Sequence, residues 1–89
     1  MPEYDLDKIT KQVGLRIAEL RQARGLTQEQ FSVRLRNTVQ WVSQIEAGAN
    51  LTVYTLARIA NALDVSLTEL VVPATQVAVR KRGRPRKQK

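Results

Sequence analysis

The chain has 89 residues, with 15 lysines and arginines against 8 aspartates and glutamates, and it contains neither cysteine nor histidine. A chain this short buries only about 60% of its unfolded surface, which allows one modest core and no second independent domain. The missing residue types exclude a disulfide scaffold, a zinc finger and a histidine general base, so we expect no metal and no other cofactor. The N-terminus is acidic and lacks an apolar run, so we expect no signal peptide. No run of ~20 apolar residues exists, so we expect no membrane span, and these features together favour a cytoplasmic protein.

The formal charge of +7 is concentrated at one end of the chain. Residues 1–79 carry eight basic and eight acidic residues and are formally neutral. Residues 80–89 hold seven basic residues and no acid, interrupted by Gly83 and Pro85. Because this composition cannot bury a core, we expect the tail to be disordered when free. The tail either keeps the protein soluble or binds nucleic acid.

The N-terminal part of the body predicts two helices. Apolar residues recur at steps of three and four across residues 5–24, which indicates a first helix ended by Gly25. Thr27 followed by Gln30 is a capping-box pattern, and it opens a second helix over residues 28–35. The apolar stripe of the first helix consists of Leu6, Ile9, Val13, Ile17 and Leu20, and the inward residues of the second are Phe31 and Leu35.

Three more helices follow, and no convincing sheet. Thr38 is placed to cap a third helix over about residues 39–47, which ends at Gly48. Thr52 caps a fourth helix, and Asp64 occupies the position of its terminator. The inward residues of these helices are Val42, Ile45, Leu56, Ile59, Ala60 and Leu63.

The fifth helix is short. Ser66 and Glu69 form a second capping-box pattern, and Pro73 stops the helix. Its inward residues are Leu67 and Leu70. Residues 76–79 are either a linker or a strand that pairs across a dimer.

Three runs within residues 13–72 share a pattern that is more specific than any of its parts: residues 21–31 (RQARGLTQEQF), 42–48 (VSQIEAG) and 55–70 (TLARIANALDVSLTEL). Together they resemble the Cro and phage-repressor type of helix-turn-helix domain, the XRE family. The resemblance implies an all-α, five-helix, lambda-repressor-like domain in which the second helix of the pair enters the DNA major groove. It makes 28–35 the supporting helix and 39–47 the recognition helix. The remaining segments are an extension of the first helix (1–12), a linker or dimer-pairing stretch (73–79) and the basic tail (80–89).

The outer face of the predicted recognition helix is short and mostly uncharged. With Val42 and Ile45 inward, four side chains remain outside: Val39, Gln40, Ser43 and Gln44. Glutamine can pair bidentately with adenine, and valine can contact a thymine methyl group. An ordinary solvated helix face is the alternative, but the resemblance implies that these four residues contact base edges.

The resemblance also implies roles outside that helix. Gln28 matches a position that binds phosphate with the help of a helix N-terminus, against the alternative of a plain exposed residue. Arg21 and Glu46 match an ion pair that ties the recognition helix to the first helix, which is a structural role. Arg36 stands where the family usually has glycine, near the expected phosphate path. Further candidates for phosphate contact are Trp41, Asn50 and Thr52, although Trp41 could pack half-buried and Thr52 could act only as an N-cap.

The tail resembles a second DNA-binding element. Residues 82–87 (RGRPRK) contain the RGRP core of an AT-hook, with Lys81 where proline is usual. Glycine lets the backbone approach a narrow groove and proline keeps it extended, so the arginines can lie along an A·T-rich minor groove. The candidate minor-groove residues are Arg82, Gly83, Arg84, Pro85 and Arg86.

These features favour a sequence-specific DNA-binding transcriptional regulator, most simply a repressor, associated with the nucleoid. The family implies a homodimer on a palindromic site with half-sites about 34 Å apart. The candidate dimer surface comprises Leu67, Val71, Val72 and 76–79. Two alternatives stay open: an architectural protein that binds A·T-rich DNA broadly, and an antitoxin-like module whose partner is a toxin or effector protein. No pairing of a nucleophile with a base is evident, so we expect no enzyme.

Overall fold

The computed structural model describes residues 3–74, which form five helices. They are α1 (Leu6–Ala23), α2 (Gln28–Leu35), α3 (Val39–Glu46), α4 (Val53–Leu63) and α5 (Leu67–Leu70). Within this range there is no strand, so the prediction of an all-α domain with five helices is confirmed. The predicted linker or pairing stretch at 76–79 and the basic tail lie outside the described residues.

Local hydrogen bonds explain where the helices begin. Thr27 and Gln30 form both bonds of the predicted capping box, at 3.0 and 2.9 Å. Asp5, Thr38 and Thr52 each accept a hydrogen bond from a backbone N–H of the first turn. The second predicted capping box is wrong, because the Ser66 hydroxyl makes no cap bond. It lies 3.0 Å from the hydroxyl of Thr68 instead, so the two hydroxyl groups bind each other at the start of this four-residue helix.

The helix ends depend on left-handed backbone. Gly25 follows α1 with φ of 72°, as predicted. Arg36 after α2 and Asp64 after α4 adopt nearly the same conformation, with φ of 54° and 56°. A side chain in this region costs roughly 1–2 kcal/mol, because its Cβ crowds the following carbonyl oxygen. The domain therefore holds two turns with non-glycine residues where glycine is preferred.

The core lies where all five helices meet. Its buried apolar residues are Ile17, Phe31, Leu35, Val42, Ile45, Ile59, Ala60, Leu63 and Leu70. Two predicted inward positions are wrong. Leu6 is 74% exposed, because the first turn of α1 extends past the other helices, and Leu67 is exposed at the start of the short α5. The predicted apolar stripe of α1 therefore reaches the core only in its later turns.

Gly14 brings α1 and α3 into close contact. A Cβ at this position would lie 2.6 Å from the carbonyl oxygens of both Ile45 and Glu46. Since such a distance is well inside van der Waals contact, only glycine lets the C-terminal end of α3 rest on the backbone of α1. This contact and the buried Val42 hold α3 in a fixed orientation, with its other side facing solvent.

Candidate nucleic-acid interface

The solvent-facing side of α3 presents side chains that are not engaged with the rest of the described structure. Val39, Gln40, Ser43 and Gln44 are all exposed, above the buried Val42 and Ile45. Within residues 3–74, the polar side-chain groups of Gln40, Ser43 and Gln44 make no hydrogen bond. Two amides and one hydroxyl on a rigid helix can therefore donate to and accept from an external partner without first breaking a bond inside the protein. The structure brings these four predicted residues together on one face.

The turn from α2 to α3 is tight although it contains arginine. The backbone N–H of Arg36 donates to the carbonyl of Val33 (3.1 Å), and that of Asn37 to the carbonyl of Ser32 (3.0 Å). These two bonds and the left-handed Arg36 form a Schellman motif, which satisfies the last carbonyls of α2. The Asn37 carboxamide oxygen also accepts from the N–H of Thr38 (2.8 Å), the N-cap of α3. The turn therefore forms with arginine in place of glycine, and Arg36 is exposed shortly before Thr38, the N-cap of α3.

A part-buried hydrogen-bond network joins the first three helices. Arg21 binds Glu46 through two contacts, Nε to Oε2 at 2.6 Å and Nη2 to Oε1 at 3.1 Å. Its Nη1 donates to the carbonyl of Leu26 (2.7 Å), in the loop before α2. Gln28 is half-buried and donates its Nε2 to Oε1 of Glu46 (3.0 Å). The pair thus ties α3 to α1, as the sequence resemblance implies, and also fixes the start of α2.

This network changes the interpretation of Gln28. A plain exposed position, the alternative for this residue, is wrong, because its amide nitrogen is bound to Glu46. The backbone N–H of Gln28 still lies in the first turn of α2, where no intrahelical acceptor exists. Contact with a phosphate through that N–H stays a prediction.

The other candidates for phosphate contact differ in their burial and in their hydrogen bonds within the protein. Trp41 is half-buried and packs against the core, and Thr52 caps α4 by accepting from the N–H of Thr55 (3.0 Å). Asn50 is exposed in the loop after α3. For all three residues, contact with DNA stays a prediction.

Most arginines of the body bind backbone carbonyls, a type of contact that the sequence did not indicate. Five of them donate to backbone carbonyls of other segments: Arg16 to Glu69, Arg21 to Leu26, Arg24 to Asp64, Arg34 to Ala62 and Arg58 to Leu35. Four of these partners are 23 to 53 positions away along the chain, so no local pattern could have predicted them. Among the described arginines, Arg36 alone is left without such a bond, so its guanidinium has no partner within residues 3–74.

Residues 3–74 offer neither a metal site nor a membrane span. They contain no group of acidic, cysteine or histidine residues placed to hold a metal ion. No helix in this range has the length and apolar character needed to cross a membrane.

Known proteins share this arrangement of helices. The helix-turn-helix family HTH_3 matches residues 17–70. An uncharacterized HTH-type transcriptional regulator, y4dJ of Sinorhizobium fredii, is 45% identical over 67 residues, which are 74% of this chain and 87% of that protein. The restriction-modification controller protein C.AhdI from Aeromonas hydrophila superimposes with a TM-score of 0.65 and 32% identity over 68% of this chain and 94% of its own. The clp gene regulator ClgR from C. glutamicum shares the fold, with a TM-score of 0.70 at 21% identity over 88% of this chain and 100% of that one.

Proposed function

Because this chain belongs to the helix-turn-helix family HTH_3, a family of DNA-binding transcriptional regulators rather than enzymes, we propose that it recognises a specific DNA sequence and acts as a repressor. The proposal is carried by the outer face of α3, whose polar side chains are exposed and make no hydrogen bond within the described part of the chain. A neutral polar face on a rigid helix suits base edges better than it suits the phosphate backbone.

In the proposed complex α3 lies in the major groove. Gln40 and Gln44 pair with base edges, Ser43 accepts or donates, and Val39 contacts a thymine methyl group. The network around Glu46 keeps α3 at a fixed angle to α1 and α2, so base contacts made by short side chains keep their register. Arg36, at the turn, and the N-terminal N–H groups of α2 contact phosphates and set the position of the domain on the duplex.

We further propose that the protein binds as a homodimer on a palindromic site. Supporting this, three apolar side chains at and after α5 are exposed: Leu67 (39%), Val71 (58%) and Val72 (45%). Burial of this cluster against its copy would remove apolar surface from water and pair two recognition helices. The segment 76–79, also a candidate for the dimer surface, lies outside the described residues.

The basic tail adds electrostatic affinity for DNA to the contacts proposed for the body. Since residues 1–79 are formally neutral, most of the electrostatic attraction to DNA belongs to residues 80–89. We propose that its Arg-Gly-Arg-Pro sequence enters the A·T-rich minor groove beside the site bound by α3. With such a DNA target, we propose that the protein works in the cytoplasm, associated with the nucleoid.

Selection of bound duplexes from random DNA, followed by footprinting, tests the proposal. We expect one palindromic sequence with half-sites about 34 Å apart and a discrete footprint. Enrichment of A·T content alone, without a footprint, would contradict sequence-specific regulation and favour an architectural protein.

A matched pair of variants tests the role of α3. Gln44→Ala should cost about 1–3 kcal/mol of binding free energy and relax the preference at one base pair. Gln22→Ala removes the same group from an exposed position on α1 and should leave binding unchanged. If Gln44→Ala weakens binding equally on every sequence, the residue does not contact bases.

A further inference from the structure

The described residues also form a cleft between α2 and α4. Its volume is about 310 Å³. Its lining residues are Arg34 and Leu35 of α2 and Arg58, Asn61 and Ala62 of α4. None of the residues proposed to contact bases or phosphates belongs to this set. The cleft is wide open to solvent, and its volume is at the lower end of the roughly 300–1,000 Å³ that is typical of ligand pockets.

The two arginines of the cleft are held by reciprocal hydrogen bonds between the helices. Arg34 of α2 donates Nη1 to the carbonyl oxygen of Ala62 in α4 (3.2 Å). Arg58 of α4 donates Nη2 to the carbonyl oxygen of Leu35 in α2. Both acceptors lie in the last turn of a helix, where carbonyls lack partners within the helix. One hydrogen bond to the neighbouring helix thus holds each guanidinium at the cleft; the bond of Arg58 is part-buried and that of Arg34 is exposed.

The donors of these arginines are only partly used. A guanidinium carries five N–H groups, and the bond to the neighbouring helix occupies one nitrogen of each residue. Within residues 3–74 neither Arg34 nor Arg58 forms a salt bridge, whereas Arg16 and Arg21 both do. No acidic residue lines the cleft. Two cations with unused N–H donors at one cleft have the charge and the donor type that bind a carboxylate or a phosphate.

We propose that this cleft binds a small molecule through a phosphate or carboxylate group, with Arg34 and Arg58 on its oxygens and the Asn61 amide on a neighbouring polar group. Leu35 lines the cleft and directly precedes Arg36 in the turn to α3. An occupied cleft therefore lies one residue from the segment that positions α3. The binding itself does not depend on the proposed DNA function.

The test is an NMR titration of the full-length protein that follows the arginine Nε–Hε signals. Inorganic phosphate and acetate are added separately at constant ionic strength set with chloride. We expect saturable shifts of the Arg34 and Arg58 signals, and the anion that produces them distinguishes a phosphate from a carboxylate ligand. Arg34→Gln should raise the dissociation constant about ten-fold or more, since a charge-assisted hydrogen bond is lost.

Arg24→Gln is the matched control. Arg24 also donates to a carbonyl at the end of α4, that of Asp64 (3.0 Å), but it does not line the cleft. The control variant loses the same charge and the same kind of hydrogen bond as Arg34→Gln. Because Arg24 lies outside the cleft, the anion affinity of Arg24→Gln should equal that of the unmodified protein. Arg34→Lys, which keeps the charge but not the planar fork, should bind more weakly than the unmodified protein. Circular dichroism verifies that each variant is folded.

Three results would overturn the proposal. One is the absence of a saturable shift at millimolar anion. A second is an equal loss of affinity in the Arg34 and Arg24 variants, which would mean that the anion responds only to the net charge of the protein. The third is displacement of the anion by an equimolar short duplex, which would make the cleft a contact for DNA phosphate instead.

Discussion

Replacement of Arg36 by glycine should change stability and DNA binding in opposite directions. Arg36 adopts a left-handed conformation (φ 54°) at the end of α2. A non-glycine residue in this conformation is strained by roughly 1–2 kcal/mol, and glycine removes that strain. Glycine also increases the entropy of the unfolded chain, which offsets about 0.5–1 kcal/mol of the gain. We therefore expect Arg36→Gly to raise the free energy of unfolding by about 0.5–1 kcal/mol and the melting temperature by about 2–8 °C.

The same change removes the exposed guanidinium beside α3. If Arg36 contacts one phosphate, the slope of log affinity against log salt should fall by about 0.9 per chain. Binding should weaken by a similar factor on specific and unrelated duplexes, because a phosphate contact carries no sequence information. Urea unfolding followed by circular dichroism gives the stability, and fluorescence anisotropy at several salt concentrations gives the slope.

Asp64→Gly provides the matched control. Asp64 has the same left-handed conformation (φ 56°) at the end of α4 and is exposed. It should gain a similar amount of stability with no loss of DNA affinity. Lower stability of both variants would refute the argument from backbone strain, and an unchanged salt slope in Arg36→Gly would refute the phosphate contact.

Three further changes test other parts of the structure. Gly14→Ala places a methyl group 2.6 Å from two carbonyl oxygens of α3, so urea unfolding should show a loss of about 1–3 kcal/mol; an unaffected domain would mean that the helices separate easily. Thr27→Ala should cost about 1 kcal/mol because it removes the cap of α2, whereas Ser66→Ala should be nearly neutral in the same assay, since that hydroxyl makes no cap bond. Equal effects of the two would contradict the assigned caps. Deletion of residues 80–89 should lower the salt slope of DNA binding by at most about six units per chain, and an unchanged slope would show that the tail does not take part.

Helix boundaries were predictable because the signals for them are local. A threonine N-cap accepts from an N–H three residues later, and the bonds at Thr27, Thr38 and Thr52 all form as expected. The exception, Ser66, begins a helix of only four residues, where the hydroxyl pairs with Thr68 at comparable distance. The candidate base-contacting face was predictable for a related reason, since helical periodicity alone separates it from the buried Val42 and Ile45.

The sequence by itself determined the helices, their caps, the outer face of α3 and the separation of a neutral body from a basic tail, because each depends on residues within a turn or two of one another. Tertiary structure alone decided which arginines of the described residues bind backbone carbonyls. Five arginines are engaged with carbonyls that close packing of the helices brings near them, which leaves Arg36 as the exposed arginine beside α3. It also decided the contact of Gly14 with α3 and the bond of Gln28 to Glu46. Such long-range contacts depend on the angles between helices, which core packing sets and local sequence patterns do not encode.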